Sequence, residues 1–261
     1  MKIILSPAKK MNIDTDSLEP IGLPIYMERT ERILEYLRGM TINELQSLWK
    51  CNDNLTAVNY DRIRDMDLYH NLTPAILSYE GIAYQYMAPA VFENEMLSYV
   101  QKHLRILSAF YGVLKPMDGV VPYRLEMQAK ASVDGCKDMY EFWGDALYRG
   151  VVCDDTDIIS ENGTVIINLA SKEYSKCIEK YLTENDRYIT ITFCEKSGKA
   201  GCEKLVTKGT YAKMARGEMV RYMAEMQIEN PEDIKGFDRL SYEYRDELSS
   251  DSEYVFERVK K

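Results

Sequence analysis

The sequence predicts an α+β fold: one domain over residues 1–261, with a mixed β-sheet core surrounded by helices. Three observations lead there. Helical and extended stretches interleave irregularly, with no repeated unit and no βαβ rhythm. Apolar residues make up 46% of the chain, enough for one sizeable core. No low-complexity linker divides the sequence, and Asp154-Asp155-Thr156-Asp157 reads better as a surface loop than as a domain boundary.

Residues 2–5 form a short, buried first strand, and Ser6-Pro7-Ala8-Lys9-Lys10 a loop directly after it. Pro20, Gly22 and Pro24 keep 12–24 irregular. Ile33, Leu34 and Leu37 give 26–37 helical spacing. Thr41 with Glu44 three residues on is a capping box that opens a helix to about residue 50, and another helix follows over 55–64. Thr73-Pro74 reads as an N-cap followed by proline at the first helical position. Helical spacing returns over 92–103 through Met96, Leu97 and Val100.

From residue 104 the chain is extended and apolar on both faces, which marks an interior strand. Arg105 lies within it and needs a partner there, because a buried guanidinium without one is costly. The strand turns at Lys115-Pro116-Met117-Asp118-Gly119. A helix is predicted over 137–148, a buried strand over 165–169, and a helix capped by Ser171 to about residue 181. The β-branched 187–194 returns through a turn at 196–201 to Lys204-Leu205-Val206-Thr207. The longest helix spans 211–228, and 254–259 forms a closing strand.

The formal charge of −9 argues against a protein that coats nucleic acid over its whole surface, but permits a local basic cleft. There are two histidines, His70 and His103, and six cysteines without a C-x-x-C pair, so no metal site is expected. His103 closes a helix, where the dipole favours it over a catalytic role. Cys194 and Cys202 flank the hairpin and could approach each other, although reduced thiols are the expected state. Neither a signal peptide nor a membrane-spanning run is evident, which points to a cytoplasmic protein with reduced thiols and no membrane partner. No Walker A or G-x-G-x-x-G loop supports a nucleotide cofactor, and none is expected.

Two clusters carry candidate chemistry. On the helix beyond Gly209, Lys213, Arg216, Gly217, Val220 and Arg221 share one face. Gly217 in mid-helix costs about 1 kcal/mol against alanine, so a ligand or another backbone should approach it closely. The plainer reading is a solvated basic face. With Lys208 upstream and Lys196 and Lys199 on the hairpin, the face offers phosphate contacts without base reading. The second cluster is Tyr123, Arg124 and Glu126, either a structural ion pair or an anion and proton-transfer site. Lys9 and Lys10 follow the first strand, where function often sits, and Ser171 caps a helix whose free amides also suit an anion.

Seven ordered motifs carry a resemblance across nearly the whole chain. They are Leu5-Ser6-Pro7-Ala8-Lys9, Leu104-Arg105-Ile106-Leu107-Ser108 and Tyr111-Gly112-Val113-Leu114-Lys115-Pro116. Pro122-Tyr123-Arg124-Leu125-Glu126-Met127 and Phe142-Trp143-Gly144-Asp145 come next. The last are Ile167-Asn168-Leu169-Ala170-Ser171 and Tyr211-Ala212-Lys213 with Ala215-Arg216-Gly217. Together they resemble the YaaA-like peroxide-stress-response proteins. The resemblance implies a cytosolic α+β protein with a positively charged cleft that binds DNA and limits iron-mediated damage under hydrogen peroxide. It also implies a helix-hairpin-helix element, which falls on residues 41–65 here. The linker Cys51-Asn52-Asp53-Asn54 lacks the glycines such an element uses, and Met214 stands where the family pattern has lysine.

Two functions follow as expectations. The first is DNA binding with little sequence preference through Lys9, Lys10, Lys208, Lys213, Arg216 and Arg221, with Arg124 lining the cleft. The second is an enzyme acting on a nucleotide or other small anionic metabolite, with Tyr123, Arg124 and Glu126 as its catalytic candidates.

Overall fold

The computed structural model describes residues 1–153, 163–198 and 204–259. The stretch 154–157, Lys199 and the Cys202 partner suggested for Cys194 lie outside them. The fold is built on an eight-stranded sheet. Its strands are β1 (Lys2–Leu5), β2 (Leu104–Ser108), β3 (Gly112–Leu114), β4 (Val165–Asn168), β5 (Arg187–Ser197), β6 (Lys204–Val206), β7 (Tyr242–Tyr244) and β8 (Glu253–Arg258). They lie in the order β7-β8-β5-β4-β1-β2-β3, with β6 also paired to β5. β1 runs parallel to β2 and to β4, and β4 and β8 run parallel to β5. β2–β3, β5–β6 and β7–β8 are antiparallel. The sheet is mixed, as expected of an α+β domain, and it joins residue 2 to residue 258 in one core.

The central strands are apolar because both faces are covered. Ile3, Ile4, Leu104, Ile106, Leu107, Ile166 and Ile167 are all fully buried. Arg105 is buried among them, and its Nη1 donates to the carbonyls of Leu104 (2.8 Å) and Gln101 (3.2 Å).

Most predicted helices are present: Met27–Arg38, Ile42–Trp49, Asp53–Asp65, Asn94–His103, Lys172–Glu179 and Gly209–Glu225. The capping box closes as its sequence requires. Thr41 Oγ1 accepts from the Glu44 amide (3.4 Å), and Glu44 Oε2 accepts from the Thr41 amide (2.8 Å).

Some local readings change. The strand from residue 104 turns at 109–111, so β2 and β3 pair antiparallel before the turn expected at 115–119. Thr73 and Pro74 pair with Val120 and Gly119 as a short ladder, and Thr73 Oγ1 accepts from the Asp14 amide instead of capping a helix. The helix expected over 137–148 is two, Met139–Trp143 and Ala146–Val152, because Gly144 adopts φ +54° between them. His103 closes the helix Asn94–His103 as expected, but it is buried, its ring between the Met1 carbonyl at Nδ1 (2.8 Å) and Glu229 at Nε2 (3.2 Å), and burial lowers its pKa.

Over residues 41–65 the two helices are joined at Lys50, which takes φ +48°, followed by Cys51 and Asn52. Asn52 Oδ1 accepts from the Leu55 amide, and the Asp53 carboxylate accepts from Gln46. This turn does not show a helix-hairpin-helix: it has no glycine, and its first helical residue is acidic.

The long helix Gly209–Glu225 packs on the short helix Ile82–Met87. Gly217 is the reason they approach so closely. A Cβ there would sit 1.8 Å from the Ala83 carbonyl oxygen, so only glycine fits without a shift. Of the two reasons foreseen for this glycine, close approach of another backbone is the one found.

Candidate functional site

The carboxyl ends of β1, β2 and β4 lie side by side, and β1 continues into Ser6-Pro7-Ala8-Lys9-Lys10. The chain passes from β1 to a neighbour on one side and later returns on the other, an arrangement that opens a crevice beyond the strand ends. A cleft of about 450 Å³ occupies that position. Its walls come from the loop after β1, the 80–84 segment, the 123–126 segment, the start of the helix Lys172–Glu179, and Lys213 and Arg216.

Gly81 brings two of these walls together. A Cβ on it would meet the Ala8 Cβ at 2.9 Å, and beside it Lys10 pairs with Glu80 at 2.7 Å across the ladder joining Lys10–Met11 to Tyr79–Glu80. Ser6 fixes the floor. Its hydroxyl donates to Ser171 Oγ (3.1 Å) and accepts from the Ser171 amide (2.8 Å), while its carbonyl accepts from the Tyr84 hydroxyl (3.0 Å). Ser171 holds the N-cap position of its helix but makes no side-chain cap bond. The helix N-terminus therefore enters the cleft without the cap its sequence predicted.

Lys9, Arg124 and Glu126 meet on one wall. Lys9 Nζ is 2.7 Å from Glu126 Oε1, and Arg124 Nη2 is 3.9 Å from the same oxygen. Tyr123 points the other way, as alternation in an extended segment requires. It stacks on Phe110, and its hydroxyl is shared between Ser108 Oγ (2.7 Å) and the Tyr79 hydroxyl (2.8 Å). Burial pushes its pKa up to about 12, so it is a neutral phenol supporting the floor.

The structure thus brings together Lys9, Lys10, Tyr123, Arg124, Glu126, Lys213 and Arg216 around one cleft. It places Lys208 and Arg221 elsewhere: Lys208 pairs with Glu195, and Arg221 with Glu225 at 2.7 Å. Among the described residues, Lys213 and Arg216 have no carboxylate within ion-pair distance. The Nε atoms of Arg216 and Arg124 are shut off from solvent without a hydrogen-bond partner. Burial alone lowers the Arg216 pKa. A guanidinium held this way costs stability unless an anion answers it.

A larger hollow of about 680 Å³ is lined by Arg29, Arg105 and Arg149 with Asp118 and Asp145. Its arginines are already engaged: Arg149 with Asp145 (2.7 Å), Arg29 with the Trp143 carbonyl (3.1 Å), and Arg105 with backbone as above. The smaller cleft is therefore the better candidate.

Sequence reasoning missed the wall formed by Gly81, Ile82, Ala83 and Tyr84. The helix Ile82–Met87 has six residues, too few for a helical period to show. It also missed the meeting of Ser6 with Ser171, which sequence separation hides. Among the described residues, no group of three or more His, Cys, Asp or Glu side chains is placed to hold a metal ion. No helix among them is long and apolar enough to cross a membrane.

Fold and cleft define a class: a single-domain α+β protein whose mixed sheet opens into a cation-lined cleft at its parallel strand ends. Comparison with known proteins makes this specific. The chain belongs to the family described as peroxide stress protein YaaA, whose profile matches residues 1–248. A UPF0246 protein of Agathobacter rectalis is 63% identical, covering 99% of both chains. UPF0246 proteins of Lachnoclostridium phytofermentans (52% identical; 98% of this chain, 96% of the relative) and Limosilactobacillus reuteri (46%, full length of both) are similar throughout.

Proposed function

We propose that this peroxide-stress protein works in the cytosol by binding phosphate-bearing ligands in the cleft. DNA is the polymer through which it would limit peroxide and iron-mediated damage. The observation that carries this reading is Arg216 and Lys213, two cleft cations that no carboxylate of the described protein answers. Arg124 adds a third positive charge, and Lys9 and Lys10 are exposed at the mouth. Contacts of this kind neutralise phosphates without reading bases. The net charge of −9 confines attraction to this locality and leaves the rest of the surface repulsive to DNA.

Titration of DNA across salt concentrations tests the assignment. Lys213→Ala with Arg216→Ala should weaken binding and reduce the slope of log K against log salt by between about 1 and 2. Binding with the wild-type affinity and slope would remove the cleft from the DNA interface.

A second reading has its own support. Glu126 stands among the cations, and a carboxylate there repels a passive phosphate backbone while supplying an acid-base group. On that reading the protein is an enzyme acting on a nucleotide or another anionic metabolite. Glu126→Gln separates the two: DNA binding should hold or strengthen for a passive binder, whereas turnover should vanish for an enzyme.

A further inference from the structure

We infer that the cleft is a seat for one nucleotide unit, with its phosphate against Lys213, Arg216 and Arg124 and its base against Pro7, Ala8, Ile82 and Ala83. This deepens the anion-binding reading above and rests on it.

The volume comes first. About 450 Å³ lies in the range of clefts that enclose a single small ligand, and it is too little for a duplex. A polymer could place only one unit inside.

The lining of the cleft also combines two chemistries. It carries the three cations, the Ser6 and Ser171 hydroxyls, and the uncapped start of the helix Lys172–Glu179. Ser171 Oγ accepts from Ser6, which leaves its own proton available to a phosphate oxygen. The Nε atoms of Arg216 and Arg124 are closed to solvent and make no hydrogen bond, so the protein answers these guanidiniums incompletely and their Nη groups are what would meet a phosphate. It carries apolar surface as well: Pro7, Ala8, Ile82 and Ala83 are only partly buried and line the cleft. Contact of such groups with water is unfavourable, and a flat ring covers them well. Inorganic phosphate or a bare sugar phosphate would leave that apolar surface wet.

The carboxylates fit the same ligand. Glu126 and Glu173 both line the cleft, and Glu126 is held in place by Lys9 and Arg124. Each is an acceptor for a ribose hydroxyl or an exocyclic amino group, donors that a nucleoside provides and a phosphate lacks.

The nucleotide could be free or part of a DNA strand, and calorimetric titration of the full chain separates the sources. The probes are AMP, ribose 5-phosphate, adenosine, inorganic phosphate, and a short single-stranded DNA with and without a 5′-phosphate. AMP should bind at least about tenfold tighter than ribose 5-phosphate and than adenosine, since each lacks one half of the match. Arg216→Gln with Lys213→Gln should lower AMP affinity by about tenfold or more, while Lys208→Ala leaves it unchanged. Ile82→Ser should weaken AMP but not ribose 5-phosphate, an outcome that misfolding cannot imitate.

AMP that displaces the 5′-phosphorylated strand supports one shared seat and a strand-end source. AMP binding without affinity for the strand supports the free nucleotide. Equal affinity for AMP, ribose 5-phosphate and phosphate would overturn the base wall while leaving the anion site. DNA binding by a chain that does not bind AMP would overturn the nucleotide seat while leaving the DNA reading. Failure of every anion to bind would sink both.

Discussion

Arg216 has a cost and a use that a single substitution separates. It is mostly buried and its guanidinium has no carboxylate partner among the described residues, so the fold should gain from its removal. Arg216→Met keeps the volume and deletes the charge. Stability should rise, on the order of 1 kcal/mol, as anion affinity falls. Thermal melts paired with phosphate titration check it, and a melting temperature that falls would show that Arg216 makes a net stabilising interaction in the fold. His103 gives a second test at this scale. Burial depresses its folded pKa, so below the unfolded value of about 6.5 the unfolded chain binds the extra proton first. Stability should therefore decline as pH drops below about 6.5, and His103→Asn should flatten that decline in melting temperature. The sequence pointed to Lys213, Arg216, Arg124 and Glu126 because charges stand out in apolar surroundings. It could not show that Tyr123 faces inward onto Ser108 and Tyr79, which depends on which side of an extended segment meets the core.

Among the elements, the long helix and its glycine matter most for the cleft. Gly217→Ala would drive a methyl group into the Ala83 carbonyl, and the two helices would have to separate. The expected loss is about 1–3 kcal/mol, with weaker anion binding because Lys213 and Arg216 ride on the displaced helix. Chemical denaturation and ligand titration of the variant measure both, and an unchanged midpoint would show that the helices absorb the methyl freely. The capping box is a control remote from the cleft. Thr41→Ala should cost about 1 kcal/mol and leave anion affinity untouched. Signals local in sequence were legible: the Thr41-Glu44 box, the periodicity of the longer helices, and the apolar strands. Thr73-Pro74 misled because it imitates a helix start, while its actual partners, Val120 and Gly119, lie more than forty residues away. Gly144 was visible, but not the positive φ that lets it break the helix over 137–148.

At the scale of the whole molecule, β8 shows why the chain is one unit. It lies inside the sheet, parallel to β5 on one side and antiparallel to β7 on the other. Asp and Glu crowd residues 229–257, yet that stretch ends in core structure, with Phe256 fully buried. Truncation before residue 242 would strip two strands and expose the edge of β5, and such a chain should lose cooperative unfolding. A truncated chain with a single sharp melt would contradict this. Interleaved helices and strands disclosed the class of fold, but strand order was not readable, since parallel neighbours such as β1 and β4 share no turn.

The contact at Gly217 also bears on time. Because the long helix meets Ala83 backbone to backbone, the cations of one wall and the apolar surface of the next are carried on elements locked together. Walls packed this closely should not swing apart, so a ligand need not wait for closure. Association should be a single step, with an observed rate that rises linearly with ligand concentration and no plateau in rapid-mixing fluorescence. Differences in affinity between ligands should then be written almost entirely in how fast they leave.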